Sequence, residues 1–149
     1  MNKIPVKIKL LRPEAQVPEY AKEGDSGFDL RACIDSPWNL HPGCQLTIPT
    51  GIAIQILDPY KELQVRSRSG LGHKNGIAVL LGIGTVDNGY RNEVGVILIN
   101  HSKKLFVINH GDRIAQGVIA PVYRAVFEVV EELDETERGM GGFGHSGVR

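Results

Sequence analysis

The chain's 149 residues, 16.3 kDa, suit one compact domain and leave no room for a second. Seventeen Lys and Arg balance seventeen Asp and Glu, which argues against a nucleic-acid-coating surface, since that needs a basic excess to displace counterions. The two cysteines, Cys33 and Cys44, form no C-x-x-C pair and have no His at ligand spacing, so they read as two small buried hydrophobes in a reducing compartment.

The N-terminal MNKIPVKIKLLRP carries no apolar leader core, and the longest apolar stretch, Ile77 to Ile83, is too short to span a membrane. A soluble, cytosolic protein with no membrane partner is expected. Along the chain, apolar residues recur with period two: Val6, Ile8 and Leu10; Phe28, Leu30, Ala32 and Ile34; Leu46 and Ile48; Ile52, Ile54 and Ile56; Leu63 and Val65. Only Ser69 to Lys74 invites a short helix. Val94 to Ile99 is almost continuously apolar, as expected of a strand covered on both faces by core or by another subunit. Leu105 to Ile108, Ile114 to Val122 and Val126 to Val130 add further β-rich runs. Turn signals such as His41-Pro42-Gly43, Asp58-Pro59 and Asn109-His110-Gly111-Asp112 separate them at intervals of about ten residues, the mark of a sandwich, jelly roll or barrel. With no crossover helices available, an α/β arrangement is excluded.

Four segments carry residues suited to chemistry. Asn88-Gly89 between patterned runs predicts a two-residue type I′ hairpin, which would set Asp87 and Tyr90 side by side at its tip. Arg66-Ser67-Arg68-Ser69-Gly70 offers guanidiniums, hydroxyls and accessible backbone N–H groups, a pattern suited to phosphate as well as to a solvated loop. Gly111 to Gln116 reads as a turn entering a strand, with the Gln116 amide able to donate to an anion. The tail Gly139 to Gly147 holds five glycines in nine residues, preceded by Arg138 and containing Phe143; either it is disordered or it closes over something flat, the arginine and backbone N–H groups suiting phosphates and the ring a base.

Five ordered segments carry a resemblance: Gly27-Phe28-Asp29-Leu30-Arg31-Ala32, Arg68-Ser69-Gly70-Leu71, Gly84-Thr85-Val86-Asp87-Asn88-Gly89-Tyr90, Gly111-Asp112-Arg113-Ile114-Ala115-Gln116 and Arg138 to Gly147. In order and spacing they resemble the five motifs of the trimeric dUTP pyrophosphatase (dUTPase) family. Ser67 stands where that family usually has proline, and Asn92 where it usually has glycine.

The resemblance implies an all-β, jelly-roll-like distorted barrel over residues 1–137, with a flexible lid segment at 138–149. It implies a homotrimer whose active sites are shared between subunits. It implies hydrolysis of dUTP to dUMP and pyrophosphate with Mg2+, which keeps uracil out of DNA and supplies dUMP for thymidylate synthesis in the cytoplasm, or the host cytoplasm if the source is viral. Carried onto this chain, Asp87 activates water and Tyr90 packs under the deoxyribose. The backbone at Leu81, Gly84, Thr85 and Val86, with Gly95, reads uracil. Arg68, Ser69, Gly70 and Gln116 hold phosphates, Arg138 reaches the terminal phosphate, and Phe143 caps the base beside Gly144. Asp29 touches the metal's water shell.

Deaminases of dCTP resemble this family in fold but place a catalytic glutamate three residues before an asparagine. Here Ile97 stands at that spacing before Asn100, and it cannot transfer a proton.

Overall fold

In the computed structural model residues 3–145 and Gly147 are described. The expected segments 1–137 and 138–149 therefore fall partly outside the described residues, at Met1, Asn2, Ser146, Val148 and Arg149. Among the described residues the chain forms eleven strands and one helix. In order they are β1 (Val6–Leu10), β2 (Phe28–Arg31), β3 (Trp38–Leu40), β4 (Gln45–Pro49), β5 (Ile52–Ile56), β6 (Lys61–Arg66), α1 (Ser69–Asn75), β7 (Ile77–Val79), β8 (Ile83–Val86), β9 (Gly95–Asn100), β10 (Phe106–Ile108) and β11 (Arg113–Pro121).

The strands pair antiparallel in four small sheets, ordered β1-β5, β3-β10, β2-β11-β6-β8 and β4-β9-β7. Such short pairings cannot stand alone in water, so the sheets must bury their inner faces against one another. They do so through one core that includes Leu30, Leu40, Ile48, Ile52, Leu63, Leu98, Ile108 and Ile114, each no more than 2% exposed. The result is the expected all-β, jelly-roll-like barrel. Its one helix begins where the sequence places it.

Two polar side chains lie in this core with their bonds made. Asn100 donates to the Leu40 and Lys104 carbonyls at 2.9 and 2.8 Å, and its oxygen accepts from the backbone and hydroxyl of Ser102. Thr50 donates to the Val94 carbonyl at 2.5 Å. Left unmade, each such bond would cost about 1–3 kcal/mol of desolvation.

Three expectations are corrected and one is narrowed. First, Asn88-Gly89 is not a type I′ hairpin, because neither residue has positive φ and the flanking strands do not pair with each other: β8 joins β6, and β9 joins β4 and β7. Second, the expectation for Val94 to Ile99 is narrowed: Val94, Val96 and Leu98 are buried while Gly95 is exposed and Ile97 and Ile99 are half-buried, so the chain's own core covers one face fully and the other only in part. Third, Val126 to Val130 forms no strand, for no edge of its own chain accepts it and its apolar side chains are exposed. Fourth, only Cys33 is buried; Cys44 is exposed. Burial pushes the Cys33 thiol up from its ordinary value, against the opposing pull of Arg12.

Candidate active site

Strand register assembles the first group of candidate residues. In the four-stranded sheet, Gln116 of β11 lies between Asp29 of β2 and Arg66 of β6. Two residues past Arg66 the chain leaves the sheet at Arg68, an extended residue from which α1 begins. Asp29, Arg68, Ser69, Gly70 and Gln116, far apart in sequence, therefore line one open cleft of about 290 Å³ with Gly27 and Arg113. That is near the small end of ligand cavities, so it suits a phosphate chain better than a whole nucleotide.

Charge organises this cleft. Asp29 Oδ1 lies 3.0 Å from Arg68 Nε, and Oδ2 lies 3.2 Å from Arg113 Nη1, so one carboxylate aligns two guanidiniums. Arg68 also donates to the Arg113 carbonyl at 3.3 Å. The Gln116 amide donates to the Ser67 carbonyl at 3.0 Å, which ties β11 to the loop carrying Arg68. Gly27 lies opposite, where a Cβ would sit 2.7 Å from Gln116 Oε1 and push the amide from its place.

Two residues here escaped the sequence reading. Arg113 sits in a quoted motif, but the register sets it opposite Arg31, and only the folded geometry shows that its guanidinium reaches Asp29. Ser67, where the resemblance leads one to expect proline, uses its hydroxyl to accept the Val79 N–H at 2.8 Å and so fastens β7 to the end of β6.

The second group lies on the segment from β7 to β9, which does not line the cleft. β8 is the edge strand of its sheet, so one row of its backbone N–H and C=O groups is unpaired between Ile83 and Val86. Leu81, in the turn before it, is 70% exposed, and Gly84 packs against Val65, where a Cβ would come within 3.3 Å. Gly95 pairs with Pro49 on one side only, since β7 reaches no further than Leu98. Asp87 and Tyr90 do share a turn, with Tyr90 N–H donating to Asp87 O at 3.0 Å. The Asp87 side chain is exposed, and the Tyr90 hydroxyl donates to the Glu93 carbonyl at 3.0 Å, presenting the ring outward.

The third group is the tail. Arg138 folds back to donate to the carbonyls of Gly141 and Gly142 at 2.8 and 3.2 Å, and Phe143 is fully exposed beside Gly144. A single chain thus presents three separate groups of candidate residues. Cleft, turn and tail are not brought together within it.

The family model described as dUTPase matches residues 13–147. A protein of Syntrophotalea carbinolica named deoxyuridine 5'-triphosphate nucleotidohydrolase is 51% identical over 147 residues, spanning 99% of each chain. One of the same name from Klebsiella pneumoniae is 46% identical over 149 residues, covering 99% of this chain and 98% of its own. Among solved structures, a Staphylococcus bacteriophage 80alpha dUTPase with dUpNHpp superposes at TM-score 0.82 and 27% identity, covering 97% of this chain and 99% of its own. The five motifs, the barrel and these likenesses agree, and the chain belongs to the dUTPase family.

Proposed function

We propose that this chain hydrolyses dUTP to dUMP and pyrophosphate. The observation that carries the reading is the cleft in which Arg68, Arg113, Ser69 and Gln116 converge around Asp29. A triphosphate brings about four negative charges, and a built cluster of guanidinium, hydroxyl and amide donors is the chemistry that receives them. Those products fix the scissile anhydride as the one between the first and second phosphates.

Asp87 accepts a proton from the attacking water, and the new bond forms between that water's oxygen and phosphorus as pyrophosphate leaves. Arg68, Ser69, Gly70 and Gln116 hold the phosphates in line. Tyr90 lies under the deoxyribose, where its ring leaves no room for a 2′-hydroxyl and so rejects UTP. The unpaired edge of β8, reached through Leu81, Gly84, Thr85 and Val86, together with the open side of Gly95, supplies the backbone donors and acceptors that a uracil edge matches. Arg138 pairs with the terminal phosphate, and Phe143 stacks over the base with Gly144 beside it.

Mg2+ suits this donor set. Among the described residues no three acidic, His or Cys side chains gather as a metal cage, and Mg2+ commonly keeps its waters while binding through substrate phosphates and one or two carboxylates. Each Asp29 oxygen carries one guanidinium contact and retains a lone-pair site through which it reaches the ion's water shell. When bound, the ion neutralises phosphate charge and holds the chain of phosphates in one conformation.

The assembly is a homotrimer with sites shared between subunits. Support comes from the separation of cleft, turn and tail, from the half-buried face of β9, and from the arm after β11, where Phe127 and Val129 are 91% and 99% exposed. An apolar arm of that kind needs cover from a second copy. Two free thiols suit the reducing cytoplasm; among the described residues no helix is long and apolar enough to cross a membrane.

The test is pyrophosphate release from a panel of nucleoside triphosphates. The chain should prefer dUTP, and Asp87→Asn should lower kcat by at least ~10²-fold while dUTP still binds. Near-normal turnover in that variant would remove Asp87 from its role.

A further inference from the structure

Asn88 follows the proposed base, and its side chain has a task unrelated to the hairpin its sequence suggests. Its Nδ2 lies 2.9 Å from the Asp58 carbonyl, 3.1 Å from Lys61 O and 3.3 Å from Ile56 O. These three acceptors flank the connection between β5 and β6. In the β6–β8 ladder Leu63 stands opposite Val86, so Lys61 is the residue opposite Asn88 once that register is continued past the end of β8. The ladder has ended there, and a side-chain amide supplies the donor that the backbone no longer does.

The turn hangs on this point. The Asn88 carbonyl accepts from Arg91 Nη1 at 2.5 Å, the same nitrogen donates to Tyr90 O at 2.8 Å, and Tyr90 N–H closes on Asp87 O. On the far side, Glu93 Oε1 accepts the Gly51 N–H at 2.7 Å. The Asp87 side chain is itself exposed, so the backbone beneath it sets the direction in which it points.

Resting on the function proposed above, the geometry points to Asn88 as a positioning residue for Asp87: it fastens the turn to the β5–β6 connection and so fixes how the base is presented to substrate. Asparagine suits the place chemically. An amide brings two N–H donors to three acceptors, whereas aspartate of the same shape brings only oxygens, and alanine brings nothing. A general base displaced by about 1 Å loses up to ~10²-fold in rate, while groups that bind phosphate and base elsewhere are untouched.

Steady-state kinetics on dUTP tests this with Asn88→Ala and Asn88→Asp beside wild type and Asp87→Asn. Both Asn88 variants should lose roughly tenfold to a hundredfold in kcat, with KM changed less than about threefold. A role confined to holding the β5–β6 connection would lower Tm and leave kcat of the folded enzyme at the wild-type level, and that result overturns the inference. Should both variants fail to fold, the wild-type chain answers by NMR: the Asn88 side-chain amide protons should exchange with solvent far more slowly than those of the exposed Asn92, and equal exchange overturns the inference. Failure of the proposed function shows differently, as wild-type chain that releases no pyrophosphate from dUTP or Asp87→Asn at full rate.

Discussion

Replacing Asp29 by asparagine keeps the shape of the side chain and removes one charge from between two guanidiniums. Asp29 is 17% exposed, Arg68 26% and Arg113 46%. The inner pair, at 3.0 Å, is partly shielded from water, while the outer pair, at 3.2 Å, is closer to a surface salt bridge. Surface pairs contribute about 0–1 kcal/mol and breaking fully buried ones costs about 3–5, so the shielded pair is assigned ~1–2 and the outer one ~0.5–1. Their loss destabilises the fold by about 2 kcal/mol, or roughly 4–8 °C in Tm for a chain of this size. Function should suffer separately. With Asp29 neutral, Arg68 loses the partner that aims it, and the cleft loses the carboxylate proposed to reach the water shell of Mg2+. Turnover titrated with Mg2+ should need about tenfold more ion for half-maximal rate, and kcat/KM at saturating ion should fall by at least ~10-fold, or ~1.4 kcal/mol of transition-state stabilisation. Calorimetry and a Mg2+ titration on the same samples separate the two effects. A lowered Tm with an unchanged Mg2+ requirement and unchanged kcat/KM would make Asp29 a structural ion pair and refute the reasoning.

Two further outcomes are expected. Tyr90→Ala should narrow the preference for dUTP over UTP chiefly by admitting UTP, measured as the ratio of kcat/KM values; an unchanged ratio would place sugar discrimination elsewhere. Deleting everything after Glu137 should abolish most turnover and leave the oligomer and a weaker dUTP affinity in place, because Arg138 and Phe143 engage opposite ends of the nucleotide. Light scattering and nucleotide titration check this, and full turnover in the truncated chain would end the lid proposal.

The barrel was legible because period-two alternation is a local property: Ile52, Ile54 and Ile56 face the core wherever β5 finds a partner. Pairing is not local, and there the reading failed. Asn88-Gly89 has the composition of a type I′ turn, but that turn presumes adjacent strands, and β8 and β9 go to different sheets. The same limit applies to Val126 to Val130, whose composition suits a strand for which the chain supplies no edge. In the cleft, the motifs named Asp29, Arg68 and Gln116, yet neither the double arginine contact nor the part of Arg113 in it follows from sequence. Both depend on how β2, β11 and the loop after β6 meet in space, which brings Arg68 and Arg113 to the Asp29 carboxylate from different elements. Asn88 was hidden for a related reason, since its amide answers carbonyls some thirty residues earlier in the chain.

The central claim is that one dUTP-hydrolysing site draws its phosphate cleft and its base from different copies of the chain, and mixing two inactive variants tests it most directly. Asp87→Asn retains an intact cleft, and Arg68→Ala retains an intact base. If the two parts of each site come from neighbouring subunits, chains combined in equal amounts before assembly pair a good cleft with a good base in half of a half of the sites. Pyrophosphate release from dUTP should then return to about a quarter of the wild-type rate. Mixed assemblies as inactive as their parents would place cleft and base in the same chain and contradict the account.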